Sequence, residues 1–365
     1  MNALTTAARP ASDPASSSAT SEPAVSTRTT RIRALPSASE LKAQLPLDVA
    51  LADRIAHQRQ AVSDVLEGRD DRLLVVTGPC SIHDPEAALE YAGRLVSLAE
   101  RVSDRLLLVM RVYVEKPRTT VGWKGLAYDP GLDGSDDIAT GLENARRLMR
   151  DIAALGLPVA TELLQPMAAA YFEDLLSWVA IGARTTESQI HREMASGLDA
   201  SVGFKNGTQG NVDVAIAAMQ SAAHPHRFVG VAPEGGQAII ETLGNPSTHL
   251  VLRGGANGTN FDSASIAASR RALQAAGLTP RIMVDCSHAN SQKDHRRQTQ
   301  VLHDVVDQRL AEGSGLIGVM LESHLFEGKQ PLNPAALRYG VSVTDACLGW
   351  ETTEQQLLLA ADKLR

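Results

Sequence analysis

Cysteine is scarce in this chain: Cys80, Cys286 and Cys347 are the only three among 365 residues. Three thiols this unevenly placed do not make a disulfide framework, so they read as free thiols or metal ligands, and a reducing cytoplasm is the expected setting. Long apolar runs are also missing. None approaches the roughly 20 residues that a helix needs to span a bilayer, so no membrane partner is expected. An excess of positive charge is absent too. The formal net charge is −7, which speaks against general nucleic-acid binding, because that binding draws on a basic surface. Any anion site must therefore be local. Finally, there is no Walker A phosphate loop, no G-x-G-x-x-G after the first strand and no G-x-S-x-G elbow, which removes the common nucleotide, nicotinamide and serine-hydrolase readings.

What is present is globular. Apolar residues make up 44% and charged residues 21%, within the ordinary range for a packed domain. The first 36 residues, rich in Ala, Ser, Thr and Pro, lack the apolar core of a secretory signal and could not bury a core of their own. Residues 1–30 are expected to be a disordered extension. Arg28, Arg31 and Arg33 among Ser and Thr are features of a transit peptide, and Asp13 and Glu22 oppose that reading.

From Leu73 onward, short β-branched or Leu-rich runs alternate with amphipathic stretches, the pattern of a parallel sheet built from βα units. The runs fall at 73–77, 106–113, 158–162, 178–182, 202–205, 249–253, 281–285 and 316–322. Helical periodicity covers 85–101, 136–155, 166–176 and 292–310 between them. A ninth run at 227–231 precedes Pro233-Glu234-Gly235-Gly236 and then 237–241, which reads as an antiparallel hairpin inserted over 227–241. Eight βα units predict an α/β fold, a closed (β/α)8 TIM barrel over 73–365, with an open doubly wound sheet as the alternative. Residues 31–72 carry weaker helical patterns at 39–45 and 48–66. They are expected to pack outside the barrel, or on another subunit, in an oligomeric or regulatory role.

Barrel enzymes take their catalytic groups from the C-terminal ends of strands and the loops beyond. Those positions hold Cys80, Arg111, Lys116, Arg118, Glu162, Arg184, Lys205, Arg253, His288 and Glu322, with Asp345 in a later loop. Any one of the six cations alone would be a solvated surface residue. Six at strand ends of an acidic protein point to one cavity for phosphates or carboxylates, Arg gripping in a planar fork and Lys acting as a point charge. Cys80, His288, Glu322 and Asp345 offer a thiolate, an imidazole and two carboxylates, ligand types suited to Mn, Fe, Co or Zn. Their plainer reading is a buried thiol, a core histidine and two solvated acids, and placement at strand ends favours the metal. Trp123, His83, His191, His324 and Cys286 are read as structural.

Longer strings around these residues resemble one family. Gly78-Pro79-Cys80-Ser81-Ile82-His83-Asp84, the run from Met110 to Gly125 containing Glu115-Lys116-Pro117-Arg118-Thr119, and Gly182-Ala183-Arg184-Thr185-Thr186-Glu187 are similar to class I 3-deoxy-D-arabino-heptulosonate 7-phosphate (DAHP) synthases of the feedback-inhibited bacterial and fungal type. Gly203-Phe204-Lys205-Asn206-Gly207, Asp285-Cys286-Ser287-His288 and Val343-Thr344-Asp345-Ala346-Cys347 share that likeness, which runs from about Arg33 to the C-terminus. The resemblance implies a transferase that condenses phosphoenolpyruvate (PEP) with erythrose 4-phosphate and releases phosphate, the first step of the shikimate pathway to aromatic amino acids. It implies Cys80, His288, Glu322 and Asp345 as ligands of a divalent metal. It places PEP on Arg111, Lys116, Glu162, Ala183, Arg184, Lys205, Arg253 and His288, and the aldose phosphate near Lys116, Arg118, Thr119 and Asp345. Catalytic roles fall on Lys116, His288 and Cys80, with Lys116 or a water on the metal protonating the new alkoxide. If Asp345 reaches that metal, Cys347 is expected close to Cys80, as an oxidation partner when the metal leaves. The resemblance further implies a homodimer or homotetramer and an aromatic amino acid effector, tyrosine by the likeness of 225–230 and 339–345.

The chain departs from the family pattern after Arg253-Gly254-Gly255, where Ala256-Asn257-Gly258-Thr259-Asn260-Phe261 replaces a basic or Pro-containing segment. Cys286 stands where some members have an aromatic. Rival readings are a 3-deoxy-octulosonate 8-phosphate synthase, a metal-dependent aldolase, or a silent partner that binds an aromatic amino acid or a second enzyme such as chorismate mutase.

Overall fold

The computed structural model describes residues 31–311 and 313–365; the extension expected over 1–30 lies outside them. Ten strands are present: β1 (Leu73–Gly78), β2 (Leu106–Arg111), β3 (Val159–Glu162), β4 (Trp178–Ile181), β5 (Ser201–Lys205), β6 (Arg227–Val231), β7 (Gln237–Glu241), β8 (Thr248–Leu252), β9 (Ile282–Asp285) and β10 (Leu316–Glu322). Eight of them close into a barrel in the order β1-β10-β9-β8-β5-β4-β3-β2, every pairing parallel. The open sheet is thereby excluded. Helices are α1 (Ala38–Gln44), α2 (Val49–Glu67), α3 (Pro85–Val102), α4 (Ile138–Ala154), α5 (Ala169–Phe172), α6 (Gln189–Ala195), α7 (Asp213–Ala222), α8 (Ser263–Ala275), α9 (Gln298–Arg309) and α10 (Trp350–Leu364).

The strands read as continuous apolar runs because both their faces are covered. In β1 every residue is buried, and alternate side chains part company. Leu74 and Val76 enter an inner cluster with Val109, Ala180, Val251, Met283 and Met320, whereas Leu73 and Val75 join the larger cluster beneath the helices. Val62, Val65 and Leu66 of α2 belong to the inner cluster, so α2 covers the N-terminal mouth of the barrel. The opposite mouth is left to the loops that carry the chemistry.

The inserted hairpin pairs β6 with β7 antiparallel, Val229 facing Ile239, around a turn in which Gly235 takes φ +99°. Its tip touches the N-terminal segment: Ser39 N–H donates to Pro233 C=O at 2.9 Å. α1 starts in a capping box of Ser37 and Glu40. Its end is tied down by the buried Arg146 guanidinium, which donates to Leu45 C=O at 3.2 Å and grips Asp174 at 2.7 and 2.8 Å.

Two helices are shorter than their periodicity predicts. The span 166–176 is broken into a 3₁₀ turn, the single turn α5 and another 3₁₀ turn. Distant arginines take its carbonyls: Arg146 binds Tyr171 C=O, and Arg59 binds Glu173 and Leu176 C=O. The span 292–310 becomes α-helical only at Gln298, after a 3₁₀ turn over His295–Arg297, because Gln292 and Lys293 sit at φ +53° and +64°. Among the described residues no helix is long and apolar enough to cross a membrane.

Candidate active site

The register of the barrel starts the site. Gly78 at the end of β1 pairs with Glu322 at the end of β10, which brings the following Cys80 beside that carboxylate. Only glycine fits at 78, since a Cβ there would lie 2.6 Å from Arg111 C=O. The turn is then fixed by α3, whose N-cap Asp84 accepts from Glu86 and Ala87 N–H with Pro85 in the first turn.

Arg111, at the end of β2, is 1% exposed. Its guanidinium donates to Pro79 C=O and Cys80 C=O, both at 3.0 Å, and to Glu322 Oε1 at 2.9 Å. It lies 3.5 Å over the Tyr113 ring. Lys116 reaches back over the same turn, its Nζ 3.1 Å from Cys80 C=O and 3.3 Å from Cys80 Sγ. Burial pushes the Cys80 thiol up and Glu322 adds to that, with Lys116 and Arg111 opposing. Burial would lower the Lys116 ammonium, but Cys80 together with Glu322 and Glu162 keeps it raised.

Donor atoms of Cys80, Glu322 and Asp345 all lie within 4.8 Å of one another. His288 Nε2 is 4.0 Å from Glu322 Oε1. Ligand bonds of about 2.0–2.3 Å put two ligands of one ion at most roughly 4–4.6 Å apart, so the three donors stand near the spacing a shared cation requires. The donor chemistry agrees: a buried thiol and carboxylate, a carboxylate open to solvent and an imidazole would be favoured together, deprotonated, by a positive ion. Cys80, Glu322 and Asp345 form a candidate divalent-metal site, and His288 approaches it from the Glu322 side.

His288 stands at φ +57°, and its ring is held from behind. Nδ1 is 3.0 Å from Asp285 Oδ2 and 2.6 Å from Ser287 Oγ, which leaves Nε2 facing Glu322. Asp285 is fully buried and also accepts from Lys205 Nζ at 2.9 Å. Burial alone would raise its carboxyl, yet Lys205 and His288 hold it well below the usual carboxylate range. Asp285 carries a supporting role that strand periodicity hides. A carboxylate ending the otherwise apolar β9 was the available signal.

The remaining predicted residues are tied to this cluster less directly, or not at all. The Glu162 carboxylate lies over the next strand end, where a Cβ on Gly182 would come 2.2 Å from Glu162 Oε1, next to Ala183 and Arg184. Arg253 is half-buried, its guanidinium 3.4 Å from Gly254 C=O. Arg184 and Thr119 are exposed, and Arg118 turns to its own loop, donating to Trp123 C=O at 2.7 Å. No hydrogen bond or ion pair joins Thr119, Ala183 or Arg184 to the cluster among the described residues. Cys347 lies where expected, its Sγ accepting from Cys80 N–H at 3.4 Å. Glu115 was not anticipated. It accepts from Leu164 and Gln165 N–H, at 3.0 and 3.3 Å, and so ties the Lys116 loop to the loop after β3.

With this geometry in hand, the chain matches the DAHP synthetase I family over residues 48–358. It is 55% identical over 320 residues to the phospho-2-dehydro-3-deoxyheptonate aldolase, Tyr-sensitive, of Escherichia coli (strain K12), covering 87% of this chain and 90% of that protein. It is 51% identical over 323 residues to the Phe-sensitive protein of the same strain, covering 88% and 92%. Among solved structures, the phospho-2-dehydro-3-deoxyheptonate aldolase from Francisella tularensis SCHU S4 matches with a TM-score of 0.90 and 45% identity, over 92% of this chain and 98% of that one.

Proposed function

The chain belongs to the DAHP synthetase I family, and from that membership we propose that its upper barrel mouth performs the DAHP synthase reaction. It is a 3-deoxy-7-phosphoheptulonate synthase: PEP, erythrose 4-phosphate and water become DAHP and inorganic phosphate, which opens the shikimate route to aromatic amino acids. The observation that carries this reading is the convergence of Cys80, Glu322 and Asp345 within 4.8 Å directly beneath the Lys116 ammonium, 3.3 Å from the Cys80 sulfur.

Cys80, His288, Glu322 and Asp345 would hold a divalent ion, Mn, Fe, Co or Zn, which when bound polarises a substrate oxygen as a Lewis acid. Arg111, Lys116, Arg184, Lys205 and Arg253 bind the phosphate and carboxylate of PEP, with Glu162, Ala183 and His288 completing its surroundings. Arg118 and Thr119, with Lys116 and Asp345, receive the aldose phosphate. Holding both anions side by side removes much of the entropic barrier to their meeting. C3 of PEP then forms the new bond to the aldehyde carbon. Water adds at C2 as phosphate departs, and Lys116 Nζ delivers a proton to the alkoxide. Replacing Lys116 by Met should lower kcat by about 100-fold or more, the range for losing a positioned general acid; unimpaired turnover would remove Lys116 from that role.

We further place the enzyme in the cytoplasm as a homodimer or homotetramer, with residues 31–72 and the hairpin serving subunit contacts and regulation. Its effector is an aromatic amino acid, tyrosine being favoured by the Tyr-sensitive relative. The direct test of the reaction is product analysis: Mn-loaded enzyme given PEP and erythrose 4-phosphate should yield phosphate and a seven-carbon keto acid phosphate in equal amounts. An eight-carbon product from a five-carbon sugar phosphate, with none from erythrose 4-phosphate, would overturn the assignment.

A further inference from the structure

Lys205 ends β5, Arg253 directly follows β8 and His288 lies in the loop after β9, and each supplies one group of the PEP end. The loops that follow these strands bring three asparagines together: Asn206, Asn260 and Asn290. Asn260 bonds to both of the others, and all three side chains bond to the backbone between them. Asn206 Oδ1 accepts from Arg253 N–H at 2.8 Å and from Asn260 Nδ2 at 3.1 Å, while its Nδ2 donates to Gly254 C=O at 2.9 Å and Gly207 C=O at 2.8 Å. Asn260 Oδ1 accepts from Gly254 N–H at 2.7 Å, and its own N–H donates to Asn290 Oδ1 at 2.9 Å. Asn290 Nδ2 donates to Leu252 C=O at 3.1 Å and to Asp285 C=O at 3.0 Å.

Asn206 uses all its donor and acceptor capacity in this arrangement, so its amide can point only one way: reversed, its NH₂ would face the Arg253 N–H. Asn206 and Asn290 are buried, and Asn260 is half-buried. The loops also meet backbone to backbone. A Cβ on Gly254 would stand 2.8 Å from Ala289 Cβ, and one on Gly255 would stand 2.2 Å from Gly210 N. Close approach sets how near the loops come, and the amides set their register. Arg253 depends on that register most, because among the described residues its guanidinium makes only the 3.4 Å hydrogen bond to Gly254 C=O. Lys205 and His288 are fixed independently by the Asp285 carboxylate, whose backbone C=O is where Asn290 is anchored.

We propose that Asn206, Asn260 and Asn290 form a positioning triad that holds Arg253 in register with Lys205 and His288 and thereby sets the affinity of the site for PEP. The triad touches no substrate; it acts through the backbone of Arg253. Through Asn260 the loop after β8 is joined to the loops after β5 and β9. The proposal rests on the assignment of Arg253 to PEP made above.

The test uses full-length, Mn-loaded enzyme. Asn260→Ala removes the bonds to Gly254 and Asn206. It should raise the KM for PEP by about tenfold, the scale of one lost hydrogen bond to a well-placed group. The KM for erythrose 4-phosphate should stay within about twofold and the thermal midpoint within a few degrees. In an Arg253→Ala background, Asn260→Ala should add less than about twofold to the PEP KM, because residues acting through one contact are not additive. An unchanged PEP KM, an equal rise in both KM values, or a further tenfold rise on top of Arg253→Ala would each overturn the triad while leaving the Arg253 assignment standing. If Arg253→Ala itself leaves the PEP KM unchanged, the assignment falls and the triad's role falls with it. Should Asn260→Ala fail to fold, Asn260→Asp reads the same KM, since it keeps an acceptor for Gly254 N–H but sets a carboxylate against Asn206 Oδ1.

Discussion

Cys80 shows how one residue's meaning depends on its neighbours. Its sulfur is buried, with Lys116 Nζ at 3.3 Å, and Cys347 Sγ accepts from its N–H at 3.4 Å. With the metal removed by a chelator, air should oxidise the two thiols together and abolish the activity that added Mn would otherwise restore. Cys347→Ala should slow that loss, and an unaltered rate of inactivation would contradict the pairing. Asp285 acts one step further out, orienting the His288 ring at 3.0 Å. Asp285→Asn should weaken Mn binding by about 10–100-fold, as loss of a partner to a ligating histidine commonly does; a Mn titration followed by electron paramagnetic resonance checks it. Glu115 supplies a pH signature. Burial pushes its carboxyl up to about 7, against the N–H bonds from Leu164 and Gln165 and the Tyr128 hydroxyl. A carboxyl raised above its unfolded value favours the fold most below that value, near 4.3, and that contribution is lost as pH rises through about 7. Unfolding free energies at pH 5 and pH 8 should therefore show wild type losing up to about 3 kcal/mol relative to Glu115→Gln. Parallel profiles would remove Glu115 as the source.

At the scale of elements, the barrel strands were legible because a strand buried on both faces must be apolar throughout, and β1 is a plain case. The helices were less so. Nothing local in 166–176 reveals that Arg59 and Arg146, from other elements, compete for its carbonyls. Positive φ at His288, Gln292 and Lys293 likewise goes against residue preference, since side chains avoid that region unless the surroundings compel it. The hairpin was readable from its Gly-containing turn, but its contact with Ser39 was not. That contact bears on regulation. Removing residues 1–46 takes away α1 and the hairpin's partner, so inhibition by tyrosine should be lost while basal turnover persists. Inhibition retained in the truncated protein would exclude the N-terminal segment from the effector response.

For the molecule as a whole, the site is assembled from segments more than 250 residues apart, Cys80 near one end of the barrel sequence and Asp345 near the other, because closing the barrel sets β1 against β10. The ligand types and strand-end cations could be listed from sequence. Their convergence followed from strand-end placement in a barrel, whereas the supporting residues Asp285, Glu115 and the three asparagines could not be read, because their partners become neighbours only through the fold. Together these parts make a barrel mouth that would couple two phosphorylated substrates in the presence of a divalent ion. Phosphate release from PEP, measured with and without erythrose 4-phosphate and with and without Mn, for wild type and Asp345→Ala, tests this most directly. Release should require both substrates and the metal, and should fall by at least about 100-fold in the variant. Release from PEP alone, or full activity in Asp345→Ala, would contradict it.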